Sequence, residues 1–134
     1  MPREQIFWRL FFFAAAAFNF CIGGPICFNP GWSHEIAYTG NADAATLRFW
    51  GDFGFAVLLI GIGYGIVGLD VNRNRGMVWL GVLAKLFDVV TLSSRWYEGL
   101  AHTIVLIPAV IDGVFAALFV IFLLRWHAPA AVTT

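Results

Sequence analysis

Charge is what this chain has least of. Only 12% of its 134 residues are Asp, Glu, Lys or Arg, where a soluble domain carries about 25%. A surface with half the usual charge does not face water all round. Net charge is zero, and the Lys and Arg residues stand singly. No basic stripe is available to track a phosphate backbone, so no nucleic-acid partner is expected. Catalytic signatures are missing too: there is no G-x-S-x-G, no H-E-x-x-H and no glycine-rich phosphate loop. His34, His102 and His127 are isolated, with no pair at metal-ligand spacing. None falls at mid-membrane depth, which argues against a haem held by two buried histidines. His34 and His102 share one side with Glu35 and Glu98, leaving a two-histidine site across the loops open. Cys21 and Cys27 are spaced C-x5-C rather than as a redox C-x-x-C. No cofactor is expected.

What the chain has instead is apolar length. Hydrophobic residues make up 60% of it, and mean hydropathy is +0.81. A helix needs about 20 mostly apolar residues to cross a ~30 Å hydrocarbon core. Stretches at about 6–24, 47–69, 77–92 and 103–124 meet that need. With their connections they nearly exhaust residues 1–134, leaving no soluble domain of independent size. The expected fold is all-α, a single integral membrane four-helix bundle. Arg3 and Arg9 before an apolar run resemble the start of a signal peptide, but no small-x-small cleavage site comes after it. Phe18, Asn19 and Phe20 also make a poor lipoprotein site before Cys21, so an uncleaved helix is expected.

Pro25, Pro30 and Gly31 should break any helix, leaving an outer loop over about 25–46. Asn41 and Asp43 are candidate caps for a helix beginning near Ala44. DVNRNRG reads as a short turn and SSRWYEGLAH as a connection. Pro108 sits inside the fourth helix, which membrane helices tolerate, and APAAVTT reads as a disordered tail. Arg3, Arg9, Arg73, Arg75 and Arg125 fall on one side of such a bundle, Arg48 and Arg95 on the other. The arginine bias predicts that both termini are cytoplasmic.

The second stretch carries Gly54, Gly61, Gly65 and Gly68 near one helix face, with Gly61 and Gly65 as a G-x-x-x-G pair. Such glycines let helix backbones approach in lipid. They predict packing within the bundle; a homodimer face and a narrow ligand cleft are the alternatives.

The most informative residues are charges at membrane depth. Lys85 and Asp88 lie in the third stretch and Asp112 in the fourth. A lone charge at the bilayer centre costs at least ~2.5–3.5 kcal/mol, so these should face inward and pair. Antiparallel helices would bring Lys85 to Asp112, with Asp88 sharing the lysine or reaching the outer interface. Asn19 and Asp52 are expected near the outer end and Tyr64 deeper. A polar cluster of Asn19, Asp52 and Asp88 with Arg48 above could then open outward. It would serve a polar head group, a proton or a small solute, or else simply fix helix register. Lys85 beside two carboxylates has the groups for acid–base chemistry, although nothing else completes an active site. Cys21 and Cys27 lie near the outer end, where a disulfide and two free thiols are equally open.

The segment RFWGDFGFAVLLIGIGYGIVGLDVNRNRGMVWLGVLAKL, followed by IDGVFAALF in the last stretch, resembles a group of small bacterial four-helix membrane proteins. Their layout is similar to the DoxX-like superfamily. The resemblance covers most of the chain after residue 47. It implies the same bundle in a bacterial inner membrane, with Gly81, Lys85 and Asp112 important and Asp70 and Arg75 shaping the cytoplasmic turn. DoxX-like proteins have been linked to oxidoreductase complexes and redox stress, which implies an accessory subunit. The leading expectation is a non-enzymatic accessory protein binding a lipid or quinone-like molecule near Lys85 and Asp112. Its partners would be membrane lipid and a membrane protein or a second copy of the chain. A small-solute or proton-coupled transporter acting as an oligomer is the alternative. An intramembrane isomerase or mutase using Lys85 and a carboxylate is a further one.

Overall fold

The computed structural model describes residues 2–126; the expectations for His127 and the APAAVTT tail fall outside them. The described chain forms α1 (Arg3–Phe28), α2 (Pro30–Ala37), α3 (Ala44–Leu69), α4 (Arg75–Tyr97), a 3-10 turn (Thr103–Val105) and α5 (Leu106–Arg125). Four of these segments, Arg3–Phe28, Ala44–Leu69, Arg75–Tyr97 and Thr103–Arg125, are long and apolar enough to cross a membrane. The fold is the all-α four-helix bundle expected. Successive long helices run antiparallel, so α1 begins and α5 ends at one end of the bundle, here the Arg75 end. The short α2 lies across the other, the α2 end.

Every long helix but α5 reaches further than its apolar run. The proline at position 25 does not end α1. The Asn29 amide donates to the Pro25 carbonyl at 2.9 Å, closing a last turn beyond it. Packing explains why the helix persists: the backbone around Ile26 and Cys27 lies directly on Gly54 of α3. Much of the expected loop is therefore helical. Pro30 takes the first position of α2, where its missing N–H costs nothing, and Asn29 caps it. Asp43 caps α3 through the Thr46 amide at 2.7 Å, as the sequence indicated.

α4 likewise runs through the SSRWY stretch read as a connection. It stops where Gly99 takes φ +75°. Gly99 N–H then donates to Trp96 and Leu100 N–H to Arg95, a Schellman ending. Pro108 falls in the first turn of α5 rather than in its interior, so it removes no intrahelical bond.

The bundle is two tight antiparallel pairs, α1 with α3 and α4 with α5. The glycine stripe on α3 makes the first pair close. A Cβ at Gly54 would overlap the backbone of Cys27, and one at Gly61 would meet the Asn19 Cβ at 3.0 Å. At Gly68 it would press on Phe13 at 3.1 Å. The contacting glycines recur every seven residues. Gly65, the second member of the G-x-x-x-G pair, takes no part in this packing, because it has open space beside it.

Side chains fill the space between the pairs. In the Arg75 half, Trp8 and Phe12 of α1 interleave with Phe119 and Phe122 of α5 at ring separations of 5.0 to 5.4 Å. Two arginines tie off helix ends there. Arg9 donates to the Gly68 carbonyl at 3.0 Å. Arg75 donates to the Leu123 and Trp126 carbonyls at 2.5 and 2.8 Å, satisfying the C-terminus of α5. Asp70 caps α3 and accepts from the Asn72 amide at 3.0 Å.

Candidate functional site

Half-way along the bundle all four long helices meet at one lysine. Lys85 of α4 is 3% exposed. Its ammonium reaches Asp112 of α5 at 2.5 Å and the side-chain oxygen of Asn19 of α1 at 2.8 Å. Asn19 in turn donates to the Val57 carbonyl of α3 at 3.1 Å. Asn19 and Asp112 are as buried as the lysine, at 3% and 4%. The Phe18, Phe115 and Tyr64 rings lie 5.0, 5.6 and 5.8 Å from the ammonium. Oxygens and aromatic faces thus replace the water that a cation would otherwise keep.

Helix geometry brings these residues together. α4 and α5 are antiparallel with residue numbers summing to about 200, which sets 85 opposite 112. α1 and α3 pair with sums near 80, which sets 19 opposite 61. Because α1 extends to Phe28, Asn19 sits at the depth of Lys85 instead of near the helix end. That one-turn extension is why the sequence placed Asn19 too far out.

Above this node, in the α2 half, a cavity of about 740 Å3 separates the two helix pairs. Lys85, Asp112, Asn19 and Asp88 form its floor. Each helix lines it with one stripe: Phe18, Ile22 and Ile26 on α1, Phe49, Trp50, Phe53 and Val57 on α3, Asp88, Thr91, Leu92 and Arg95 on α4, Val105, Pro108 and Asp112 from the 3-10 turn and α5. These are the i, i+3, i+4, i+7 positions of a single helix face. α2 roofs the cavity with Trp32, Ser33 and His34. The roof is fastened at three points. Trp50 donates from its indole to Ser33 at 2.9 Å. Arg95 donates to the Tyr38 hydroxyl at 2.8 Å. Tyr38 and Ala101 form an isolated antiparallel bridge.

A smaller crevice of about 180 Å3 runs between α3 and α4, lined by Tyr64, Ala84, Lys85 and Asp88 among others. It shares Asn19, Phe53, Val57, Lys85, Phe87 and Asp88 with the larger cavity. Tyr64 is fully buried, and its hydroxyl has no hydrogen-bond partner.

The structure thus brings together Lys85, Asp112, Asp88, Asn19 and Tyr64. It does not bring Asp52 or Arg48 to them. Both are exposed on α3 and neither lines a cavity. They lie on the opposite helix face from Phe53 and Trp50, which the sequence alone did not settle. The disulfide is also excluded by geometry. Cys21 and Cys27 are free and lie on one continuous helix. Six residues of helix separate their Cα atoms by about 9 Å, beyond the reach of a bridge. His34 packs against Tyr38 and Trp50 at 5.1 and 6.4 Å, while the backbone of His102 joins the bridge to Ala37. Among the described residues no group of three or more His, Cys, Asp or Glu could hold a metal ion.

Sequence reasoning missed the roof and the cage. Tyr38, Arg95 and Ser33 lie in stretches read as loops, and no part beside the lysine was read for Phe18 or Phe115. The available signal was spacing: Phe115 follows Asp112 by three residues, and Phe18 precedes Asn19. Together the fold and the site define a four-helix bundle of membrane-spanning dimensions with a charged node under a roofed cavity. Comparison with models of known families, with curated proteins and with solved structures finds no match.

Proposed function

We propose that this chain is a multi-pass membrane protein that holds one amphipathic ligand, of a lipid or quinone-like kind, in the cavity above Lys85. The observation that carries the reading is the cavity's composition. A site for such a molecule needs an apolar chamber with a few convergent polar groups. Here the walls are largely aromatic and aliphatic, and Lys85, Asp112, Asp88 and Asn19 converge at the floor. About 740 Å3 suits a head group with part of a chain. The arginine bias supports an orientation with the α2 end, and with it the cavity, in the outer leaflet.

The Arg75 half supports binding over transport. Phe12, Phe119, Phe122, Val67, Val71 and Val78 are all fully buried there. A packed half below a chamber makes a one-sided pocket. The likeness to DoxX-like proteins adds the reading of an accessory subunit in the bacterial inner membrane, delivering or sensing such a ligand for a membrane partner.

The test is mass spectrometry of the protein extracted with surrounding native lipid. A stoichiometric small molecule is expected with the wild type and should be lost when Leu92→Trp fills the cavity. An equal signal from both would sink the proposal.

A further inference from the structure

We infer that Asp88 and Asp112 hold one proton between them beside Lys85, and that the head group seated on this floor is therefore uncharged. The second half rests on the binding reading above; the first does not.

α4 and α5 pair with residue numbers summing to about 200, so Asp88 stands opposite Asp112. The two side chains are hydrogen-bonded to each other. An ionised carboxylate has acceptors only, so a bond between two of them needs a proton on one. Two carboxylates this close do not both stay ionised. Lys85 decides which one keeps its charge. Its ammonium bonds to Asp112 at 2.5 Å and acts on Asp88 from further away. Asp112 is then the carboxylate, and Asp88 the carboxylic acid that donates to it.

With the proton in place, one ammonium answers one carboxylate and the floor is neutral. A second bare carboxylate at this depth would be costly. No other charge changes that sum. α1 brings Asn19 to the node and α3 brings Tyr64, both uncharged side chains. Cys21, His34 and Tyr38 line the cavity above the floor. Arg95, two helical turns along α4, is engaged with the Tyr38 hydroxyl and ring.

A neutral floor has no spare charge to offer. A cationic head would find Asp112 paired and Asp88 protonated. An anionic head would find the Lys85 ammonium already taken by Asp112 and Asn19. Beside Asp88 the walls are the Phe53 and Phe87 rings, which line both the cavity and the crevice. An uncharged polar head needs only a hydrogen-bonding partner there. Asp88 lines both spaces, and a carboxylic acid that donates its proton still keeps an oxygen that can accept.

Infrared spectroscopy reads the proton without any ligand. The purified full-length chain, with isotopically labelled aspartate carboxyls, is measured at neutral pH in a detergent free of ester groups. An isotope-sensitive carboxylic acid C=O band is expected in the wild type. Asp88→Asn should abolish it. Asp112→Asn should abolish it too, because Asp88 then ionises against Lys85. A wild type without the band overturns the inference, with no variant needed. A band that survives in Asp112→Asn, with circular dichroism unchanged, overturns the sharing. The head group is read separately in phospholipid nanodiscs, with decanol, decyltrimethylammonium and decyl sulfate as probes of equal tail length. Trp32 and Trp50 line the cavity, so a saturable change in tryptophan fluorescence reports occupancy. Decanol should bind more tightly than either ion by about tenfold or more. A charged probe that binds as tightly as decanol overturns the uncharged head group while the binding site stands. If no probe saturates, the binding reading and the head-group assignment fall together, and the infrared result still decides the proton.

Discussion

Lys85 and Asp112, 27 residues apart in sequence, meet at 2.5 Å with their side chains only 4% and 6% exposed. Removing one partner leaves the other charge buried without an answer, which typically costs about 3–5 kcal/mol. Lys85→Met alone should therefore destabilise the bundle by roughly that amount. The double variant Lys85→Met/Asp112→Leu should recover most of it, because neither charge remains. A double-mutant cycle on reversible unfolding in mixed micelles measures both. Equal losses for the single and double variants would mean that the pair does not act as a unit.

The glycines of α3 and α4 separate packing from mere abundance. A Cβ at Gly54 overlaps the α1 backbone, which cannot move as a side chain tip can. At Gly81 it would sit 2.7 Å from the Tyr64 ring and 2.9 Å from Phe119. Gly54→Ala and Gly81→Ala should each cost about 1–3 kcal/mol by overpacking. Gly65→Ala meets open space and should be neutral or slightly stabilising. Matching thermal shifts for residues 54 and 65 would contradict the arrangement.

Lys85 and Asp112 could be paired from sequence because cost decides the matter. A charge at membrane depth must face inward, and antiparallel neighbours fix which residues meet. The same reasoning could not reach Asn19, whose depth depends on α1 running past Pro25. That continuation comes from Gly54 receiving the α1 backbone, a contact between residues almost thirty apart. Asp52 and Arg48 failed for a different reason. Near a helix end exposure to head groups costs a charge little, so their polarity did not say which way they point. The end of α4 was legible in principle: Gly99 follows Glu98 at the position a Schellman ending requires.

The cysteines supply a test of that α1 extension. If residues 21–28 form one helix, Cys21 and Cys27 stay about 9 Å apart at their Cα atoms. Mild oxidation of the purified protein should then leave both thiols open to alkylation, adding two labels by intact mass. A loop over 25–28 would allow closure, and a protein that loses two protons and takes no label would show it.

Asp43 offers a pH test at the start of α3. Its carboxylate is held below the ordinary value of 3.8, first by the Thr46 backbone amide, then by the Thr46 side chain and the Ala45 amide. A depressed value in the folded state means that the carboxylate's contribution is fully present above the unfolded value. It is lost as pH falls through the folded one. The Thr46 amide resonance should therefore titrate with a midpoint below 3.8. Asp43→Asn keeps a side-chain acceptor and should abolish the titration while preserving the cap. Asp43→Ala removes the acceptor and should fray the first turn at every pH. A Thr46 midpoint at or above 3.8 would remove Asp43 as the residue that starts the helix.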